Sequence, residues 1–325
     1  MRRVLVTGGA GYIGSHTVHL LKERGCEVTV VDDLSRGHAH AVDSTHLCRI
    51  TLENTDALRH LMSRDRFDAV IHFAAYIAVG ESTQKPELYF TNNTAGTLSL
   101  LNAMIECGLT RIVFSSTAAV YGTPERVPIT EDAPLAPVSP YGESKAMVER
   151  FLYWLDQCRE FRSVSLRYFN ACGAAPEAGL GERHEPETHL IPLLLRAVDS
   201  GEAITIFGDD YPTDDGTCVR DYIHVMDLAE AHLLALEHLM EGGGTAAFNA
   251  GTGMGYSVRE VMRAVEEVTG KPVPHRIGQR RSGDPAVLVA DSTRLQQTLG
   301  WKPKHTELRE IVASAWDFYR QVRST

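Results

Sequence analysis

The segment Val4–Gly14, which reads VLVTGGAGYIG, decides the fold. A short β-branched run is followed by Gly8, Gly11 and Gly14, each three residues from the next, and then by a helical pattern. In such a strand–turn–helix unit the first glycine permits a tight turn, the second lets the backbone approach a pyrophosphate, and the third lets helix and strand pack closely. The helix N-terminus then offers free N–H groups and a favourable dipole to phosphate. The segment therefore predicts a dinucleotide-binding turn.

An acidic residue follows at the position that this turn requires. Asp32 comes directly after the second predicted strand, Glu27–Val31, eighteen residues after Gly14. A carboxylate there hydrogen-bonds ribose hydroxyls and repels a 2′-phosphate, which favours NAD over NADP. Arg36 weakens this argument because it can pair with Asp33 or with a phosphate. We predict NAD as the cofactor.

The first half of the chain alternates β-branched runs with helical patterns. The predicted strands are Val4–Thr7, Glu27–Val31, Ala69–Phe73, Arg111–Ser115 and Ser163–Arg167, and the predicted helices are Ile13–Arg24, one from Pro86 to Gly108 and one from Ser139-Pro140. Such alternation requires crossover connections and a parallel sheet covered on both faces. The prediction is an α/β fold, a Rossmann-type doubly wound parallel sheet with a smaller C-terminal α/β substrate lobe.

The character of the sequence changes after residue 172. Gly, Pro and Glu accumulate over residues 173–186, which is typical of a long functional loop. Later elements are predicted at His189–Val198 (helix), Ile204–Phe207 (strand) and Val219–Leu239 (strand and helix), with a capping box at Ser257–Glu260 and a helix end at Gly300. We place the NAD-binding domain at 1–172, with 217–245 returning to it, and the substrate-binding lobe at 173–325.

Charge and composition exclude several function classes. The net charge of −10 over 325 residues argues against a nucleic-acid partner, because phosphates along a duplex would not be neutralised. The six cysteines form no C-x-x-C, so we expect free thiols in a reducing compartment and no metal site. There is no signal-peptide pattern and no apolar run of about eighteen residues. We therefore expect no membrane partner and a cytoplasmic location.

Tyr141 and Lys145 lie one turn apart and share a face of the helix predicted from Ser139. Such a pair alone is usually a solvated helix face, but here it follows the glycine turn and the strand end that carries Thr117. When a hydride leaves a carbinol carbon, a base must take the hydroxyl proton. Burial raises the pKa of a phenol and a nearby ammonium lowers it, so the lysine must outweigh desolvation. Thr117 can orient the sugar hydroxyl, or it can bond only its own backbone.

Seven motifs occur in order along the chain. They are TGGAGYIG (7–14), HFAA (72–75), FSSTAAVYG (114–122), SPYGESK (139–145), LRYFN (166–170), IFGDDYPTDDGTCVRDYIHV (206–225) and RRSGDP (280–285). Together they resemble the extended short-chain dehydrogenase/reductase family over nearly the whole chain. The part YPTDDGTCVRDYIHV and the motif RRSGDP are more specific, and resemble the branch that 4-epimerises UDP-glucose and UDP-galactose.

The resemblance implies that NAD stays bound while a UDP-sugar is oxidised and reduced at C4. Tyr141 takes the O4 proton, Lys145 tunes Tyr141 and holds the nicotinamide ribose, and the 4-keto sugar rotates before hydride returns to its other face. The implied cofactor residues are Gly8, Gly11, Tyr12, Ile13, Gly14, Asp32, Asp33, Leu34, Thr51, Leu52, Phe73, Ala74, Ala75, Asn92, Ser115, Tyr141, Lys145 and Tyr168. The implied substrate residues are Thr117, Tyr141, Asn170, His189, Leu190, Thr205, Ile206, Phe207, Arg220, Arg281, Asp284 and Leu288. A homodimer through the helix after Pro86 and Tyr141–Cys158 is also implied.

Four positions depart from the pattern of the enterobacterial members. Ile50-Thr51-Leu52 replaces a Gly-Asp-Ile that holds the adenine, Ile77 replaces a lysine, and His189 replaces an asparagine near the uracil. Leu288 replaces a bulky tyrosine beside the sugar, which should enlarge the hexose pocket. We therefore expect that N-acetylated UDP-hexoses can also be accepted.

Three other functions stay open at this point. A UDP-N-acetylglucosamine, UDP-pentose or UDP-uronate 4-epimerase would use the same scaffold. A 4,6-dehydratase needs acidic groups after Thr117, where this chain has Ala118 and Ala119. A catalytically inactive NAD-binding scaffold would normally have lost Tyr141 or Lys145, and both are present.

Overall fold

The computed structural model describes residues 1–281 and 284–323. Ser282 and Gly283 of the RRSGDP motif lie outside the described residues. The strands are β1 Arg3–Thr7, β2 Glu27–Val31, β3 Leu47–Cys48, β4 Ala69–His72, β5 Arg111–Ser115, β6 Arg162–Tyr168, β7 Asn170–Cys172, β8 Ile204–Phe207, β9 Val219–His224, β10 Ala246–Ala250, β11 Gly255–Ser257, β12 His275–Gly278 and β13 Val287–Leu288. Seven of them form one parallel sheet in the order β10-β6-β5-β4-β1-β2-β3. This confirms the predicted fold class.

Helices cover both faces of this sheet. They are α1 Tyr12–Glu23, α2 Thr55–Asp65, α3 Val79–Gln84, α4 Pro86–Tyr89, α5 Gly96–Glu106, α6 Pro140–Arg159, α7 Leu190–Ser200, α8 Val225–Met240, α9 Val258–Thr269, α10 Thr293–Leu299 and α11 Leu308–Arg323. In β1, Val4 and Val6 pack with α1 and α8 on one face, whereas Leu5 packs with α2, α5 and α6 on the other. Both faces of the strand are thus buried, which explains its continuous apolar run.

The order of the strands reverses beside β1, because β2 continues the sheet on one side and β4 on the other. In open α/β sheets such a switch point opens a crevice at the carboxyl ends of the strands. Gly8 follows β1 and Ala74 follows β4, so these two residues form the floor of the crevice. The predicted dinucleotide turn therefore lies where this fold binds ligands.

Two smaller sheets cover the same edge of the main sheet. β7, β9, β11 and β13 form one, β8 pairs with β12 in the other, and α7, α9 and α11 pack with them around a separate apolar cluster. Only Phe169 separates β6 of the main sheet from β7 of the smaller one. The motif LRYFN therefore joins the two sheets at the crevice.

Most predicted elements appear, with small changes of boundary. Ser139 caps α6 by accepting a hydrogen bond from the Gly142 amide, both bonds of the Ser257–Glu260 capping box are present, and Gly300 ends α10 with a φ of 69°. The sequence did not predict β3, nor the π-helical turn Phe90–Ala95 that interrupts the helix after Pro86.

The segment 217–245, which was predicted to return to the NAD-binding domain, contributes to both parts of the structure. α8 packs on the main sheet, while β9 pairs in the smaller one. The strand that completes the main sheet is β10, which begins just after that segment. The boundaries between the two domains therefore remain a proposal. Within the described ranges, no helix combines the length and apolar character needed to cross a membrane.

Candidate active site

One continuous cavity of about 1870 Å³ runs from the crevice into the smaller sheets. This exceeds the size of an ordinary small-ligand pocket, which is about 300–1,000 Å³. The predicted residues that line it are Gly8, Gly11, Tyr12, Ile13, Gly14, Asp32, Asp33, Leu34, Thr51, Leu52, Phe73, Ala74, Ala75, Asn92, Thr117, Tyr141, Tyr168, Asn170, His189, Leu190, Thr205, Ile206, Phe207, Arg220, Arg281, Asp284 and Leu288. Ser115 and Lys145 lie beneath its wall, joined by a hydrogen bond of 2.9 Å from Lys145 Nζ to the Ser115 carbonyl.

The glycine turn leaves a space that fits a dinucleotide phosphate. A Cβ atom on Gly8 would lie 2.4 Å from the Ala74 amide nitrogen, and one on Gly14 would lie 2.2 Å from the Gly8 carbonyl oxygen. At Gly11 the nearest atom would be 3.3 Å away, so this residue faces the cavity. Gly11 is also the N-cap of α1, where no side chain caps the helix. The first amides of α1 therefore remain available to an anionic group.

Asp32 and Arg36 are both engaged by the protein. The buried Asp32 carboxylate accepts hydrogen bonds from the Ala10 and Leu34 amides, at 3.0 and 2.9 Å, and its pKa is raised by burial. It thus holds the glycine turn and the end of β2 together. The Arg36 guanidinium pairs with the Glu81 carboxylate at 3.3 Å. The sequence had suggested Asp33 or a phosphate as its partner, and the pair with Asp33 is not formed. Arg36 is therefore held by Glu81, and this ion pair competes with any contact of Arg36 with a 2′-phosphate.

Tyr141 lies on the first turn of α6, facing Thr117 at the end of β5. Burial raises the pKa of the Tyr141 phenol, and a hydrogen bond with Thr117 lowers it only in part. Thr117 Oγ1 also accepts a hydrogen bond of 3.2 Å from the Ala119 amide, so its functional and local roles coexist. Lys145 points to the Ser115 carbonyl, and burial has the largest effect on the pKa of Tyr141. The expectation that Lys145 outweighs desolvation stays a prediction for the site with its positively charged cofactor bound.

Lys145 is almost completely buried. Burial lowers its pKa to about 7, while the negative charge of Glu149, one turn further along α6, raises it. The ammonium also lies 4.9 Å from the centre of the Phe114 ring, over its face. The charge of this lysine therefore depends on neighbours that the catalytic motif itself does not contain.

Glu149 belongs to a buried network that sequence reasoning missed. Its carboxylate accepts hydrogen bonds from Ser116 Oγ at 2.5 Å and from Arg167 Nη2 at 2.6 Å, and both partners of the ion pair are 8% exposed. Arg167 also donates to the Tyr121 hydroxyl at 2.9 Å. Burial by itself would lower the pKa of Arg167, but the hydrogen bonds and charge of Glu149 outweigh this effect and raise it. The spacing of Glu149 from Lys145 on the helix was the signal available in the sequence.

The far end of the cavity holds the cations predicted to bind a diphosphate. Arg220 on β9 is paired with Asp284, and Arg281 lies over the Phe207 ring at 4.2 Å from its centre. Leu288 is the β-sheet partner of Arg220. It packs with the apolar cluster that surrounds Ala118, and so lies towards the Thr117 end of the cavity. The residues predicted to contact the diphosphate, the ribose and the hexose therefore all line the same cavity.

The segment 182–189 forms part of the cavity wall and contains a polar cluster that the sequence analysis did not predict. Glu182 is hydrogen-bonded to His189, and His184 Nδ1 lies 3.2 Å from Glu182 Oε1. Burial would raise the pKa of the Glu182 carboxyl, but His189 and His184 outweigh it and lower the pKa to about 2. The charge of Glu182 is therefore held by two imidazoles, one of them the predicted substrate residue His189.

We predict that Glu149→Ala lowers the free energy of unfolding by about 3–5 kcal/mol, because it leaves the buried Arg167 without its counter-charge. Urea unfolding would measure this loss. In Glu149→Leu/Arg167→Met most of the stability should return, since an apolar pair of similar volume often replaces a buried ion pair at little cost. Glu143→Ala, on the exposed side of α6, is the control and should change stability by less than about 1 kcal/mol. Equal losses in the single and double variants would contradict the prediction.

Comparison with known proteins agrees with this site. The family model described as the NAD dependent epimerase/dehydratase family matches residues 4–251. The chain is 49% identical to a UDP-glucose 4-epimerase of Halalkalibacterium halodurans over 319 residues, which cover 98% of this chain and 96% of the relative. It resembles the crystal structure of UDP-glucose 4-epimerase from Brucella ovis in complex with NAD, with a TM-score of 0.95, 44% identity and coverage of 97% and 98% of the two chains.

A further solved structure carries a broader substrate name. The UDP-Glc/GlcNAc 4-epimerase from Campylobacter jejuni matches with a TM-score of 0.87 and 40% identity, over 99% of this chain and 100% of the other. Identity of this extent over whole chains, together with the glycine turn and the Tyr141–Lys145 helix, shows the family. The chain belongs to the NAD-dependent epimerase/dehydratase family and, within it, to the UDP-glucose 4-epimerases.

Proposed function

We propose that this protein interconverts UDP-glucose and UDP-galactose by removing and returning the hydride at sugar C4, with NAD as its cofactor. The observation that carries the proposal is the continuity of one cavity. It begins at the glycine turn, passes the hydroxyls of Tyr141 and Thr117, and ends at Arg220 and Asp284. A cofactor and a nucleoside-diphosphate sugar can therefore meet at Tyr141.

The chain's own residues supply the proton transfer and the binding. Tyr141 takes the proton from the sugar O4 and later returns it, and Thr117 hydrogen-bonds the same phenol and orients the sugar hydroxyl. Arg220 and Arg281 bind the diphosphate, for which the forked guanidinium is suited. Because the diphosphate is held while the hexose is not, the 4-keto sugar can turn its other face towards the site of hydride return.

The charge balance at Tyr141 limits when the proton can leave. Burial raises the pKa of this phenol and lowers that of Lys145 to about 7, so desolvation opposes both catalytic charges. A bound oxidised nicotinamide would supply the hydride acceptor and a positive charge that favours the phenolate. Glu149 opposes the effect of burial on Lys145 and so helps to keep its ammonium charged. Tyr141 is therefore a base only in the loaded site.

The central test is the conversion of UDP-galactose by purified protein without added NAD, followed by separation of the two UDP-hexoses. Tyr141→Phe should lower the rate by about 10²–10⁴-fold, since that is the usual contribution of a general acid–base. Tyr153→Phe, an exposed tyrosine on the same helix, is the matched control and should keep the wild-type rate. If wild-type protein converts nothing even after NAD is added, the UDP-hexose assignment fails, and a pentose or uronate substrate takes its place.

We further propose that N-acetylated UDP-hexoses are substrates. Leu288 is shorter than the tyrosine of the enterobacterial pattern, and it lies between Arg220 and the cluster around Ala118, where the sugar must pass. The structural relative from Campylobacter jejuni is named for both kinds of sugar. These two observations support the wider substrate range.

Leu288→Tyr should reduce kcat/KM for UDP-N-acetylgalactosamine by about tenfold or more and leave that for UDP-galactose within a few-fold. A difference of one methylene-sized group in a pocket changes the discrimination between two substrates by about 1–3 kcal/mol. Leu288→Met conserves volume and is the control. Absence of turnover of the N-acetyl sugar by wild-type protein, under conditions where UDP-galactose reacts, would contradict this proposal.

We also propose a homodimer formed through α5 and α6. Leu98 on α5 is 43% exposed, and Tyr153 and Trp154 on α6 are 51% and 58% exposed. Phe151 and Leu155, also on α6, instead pack in part against the core. Exposed large apolar side chains on two core-packed helices are typical of a contact between subunits.

Trp154→Lys should shift the protein from dimer to monomer at micromolar concentration, as measured by analytical ultracentrifugation, because a charge would be buried without a partner. Met254→Lys replaces an apolar residue that is 46% exposed elsewhere and should leave the dimer intact. A wild-type protein that sediments as a monomer would exclude the proposed contact. The cytoplasmic location stays a prediction that subcellular fractionation can test.

A further inference from the structure

The wall segment 182–189 gathers four side chains that are typical metal ligands. Among the residues that the structure describes, Glu182, His184, Glu187 and His189 form the one group of three or more imidazole, thiol or carboxylate side chains placed closely enough to hold an ion. One ligand atom from each lies within 4.8 Å of all the others. The cysteine spacing predicted no metal site, and none of the four members of this cluster is a cysteine.

The distances fit a small tetrahedral centre after minor side-chain rotation. Zinc–nitrogen and zinc–oxygen distances of about 2.1 Å place neighbouring ligand atoms about 3.4 Å apart. His184 Nδ1 lies 3.2 Å from Glu182 Oε1 and 3.8 Å from Glu187 Oε1, which brackets this value. The hydrogen bond between Glu182 and His189 would be replaced by two bonds to the ion.

His184 is the member that joins the two carboxylates of the cluster. Its Nδ1 faces both Glu182 and Glu187 and is paired with each of them. An ion at the centre of the cluster would take up the Nδ1 lone pair and one oxygen of each carboxylate.

The charge of the donor set also matches a divalent cation. An ion that binds here must displace the protons of His184 and His189. The two carboxylates and two neutral imidazoles then carry a net charge of −2, in a place where Glu182 and Glu187 side chains are only 6% and 11% exposed. Imidazole nitrogens favour zinc and its neighbours over magnesium or calcium, which prefer oxygen ligands alone. We propose that Glu182, His184, Glu187 and His189 form a structural zinc site.

The position of the cluster indicates what the ion would do. His189 is the N-cap of α7. The segment before it contacts two residues on the NAD-binding side of the cavity. Arg36 donates a hydrogen bond to the Glu185 carbonyl at 3.3 Å, and a ring nitrogen of His38 lies 2.8 Å from the Arg183 carbonyl. A zinc ion would fix this segment to the start of α7. It would thereby hold the wall of the cavity in place without taking part in hydride transfer.

The test is calorimetric titration of tag-free, chelator-treated protein with Zn²⁺, compared between wild type, His184→Gln and His60→Gln. We expect one Zn²⁺ per chain in wild type and in His60→Gln, which removes an exposed histidine on α2. The affinity in His184→Gln should be weaker by at least about tenfold, since even indirect supports of a metal ligand are worth 10- to 100-fold. Glu187→Gln provides a second variant if His184→Gln does not fold, and should show the same loss.

Titration with Co²⁺ separates this site from the cysteines. Cobalt held by nitrogen and oxygen should give the visible bands of a tetrahedral centre without sulfur-to-metal charge transfer, and the bands should disappear in His184→Gln. Absence of Zn²⁺ binding in wild type, or binding and spectra that are unchanged in both variants, would overturn the proposal. Because the readout is binding, its failure leaves the proposed epimerase activity untouched, and the reverse also holds.

Discussion

The geometry of the active site depends on the buried bonds that fasten α6 to the end of β5. Lys145 donates to the Ser115 carbonyl, and Glu149, one turn later, accepts from Ser116. Lys145 and Glu149 lie on the same face of α6 in successive turns. Their bonding partners, Ser115 and Ser116, are consecutive residues at the end of β5. Tyr141, one turn before Lys145, is thereby placed opposite Thr117, the next residue of that strand end. The spacing Tyr-x-x-x-Lys-x-x-x-Glu is therefore a structural unit in which the second and third residues hold the first, the base of the proposed reaction, in place.

Burial of this site disfavours the charged forms of both Tyr141 and Lys145. The same burial that excludes water from Tyr141 raises the pKa of its phenol and lowers the pKa of Lys145 to about 7. Glu149 supports the lysine charge, yet Glu149 is itself tolerated in the interior only because Arg167 neutralises it. Arg167 thus balances Glu149, Glu149 supports Lys145, and at the end of this series burial raises the pKa of the Tyr141 phenol.

The sequence predicted the features that local geometry dictates. The turn at Gly8 and the cap at Ser139 could be predicted because each follows from the backbone of a few adjacent residues, and the structure has both. The contact of Glu149 with Arg167 could not be predicted, because it joins a helix to the neighbouring strand through side chains whose direction depends on packing. The direction of the Lys145 ammonium could not be predicted for the same reason, because proximity on a helix face does not determine where it points.

At the far end of the cavity, too, a charged side chain that is shielded from water is paired with an opposite charge. Arg220 is paired with Asp284, although the family resemblance assigns the first to a diphosphate and the second to a ribose. Their side chains are only 12% and 27% exposed, so either charge alone would be poorly hydrated. Mutual pairing holds both side chains in place. In the proposed binding mode a nucleoside diphosphate would offer an anion to the arginine and hydroxyls to the aspartate, so that two complementary contacts would replace one ion pair. A ligand with only one of these groups would break the pair without satisfying both partners, and this favours a nucleotide sugar over a free sugar phosphate.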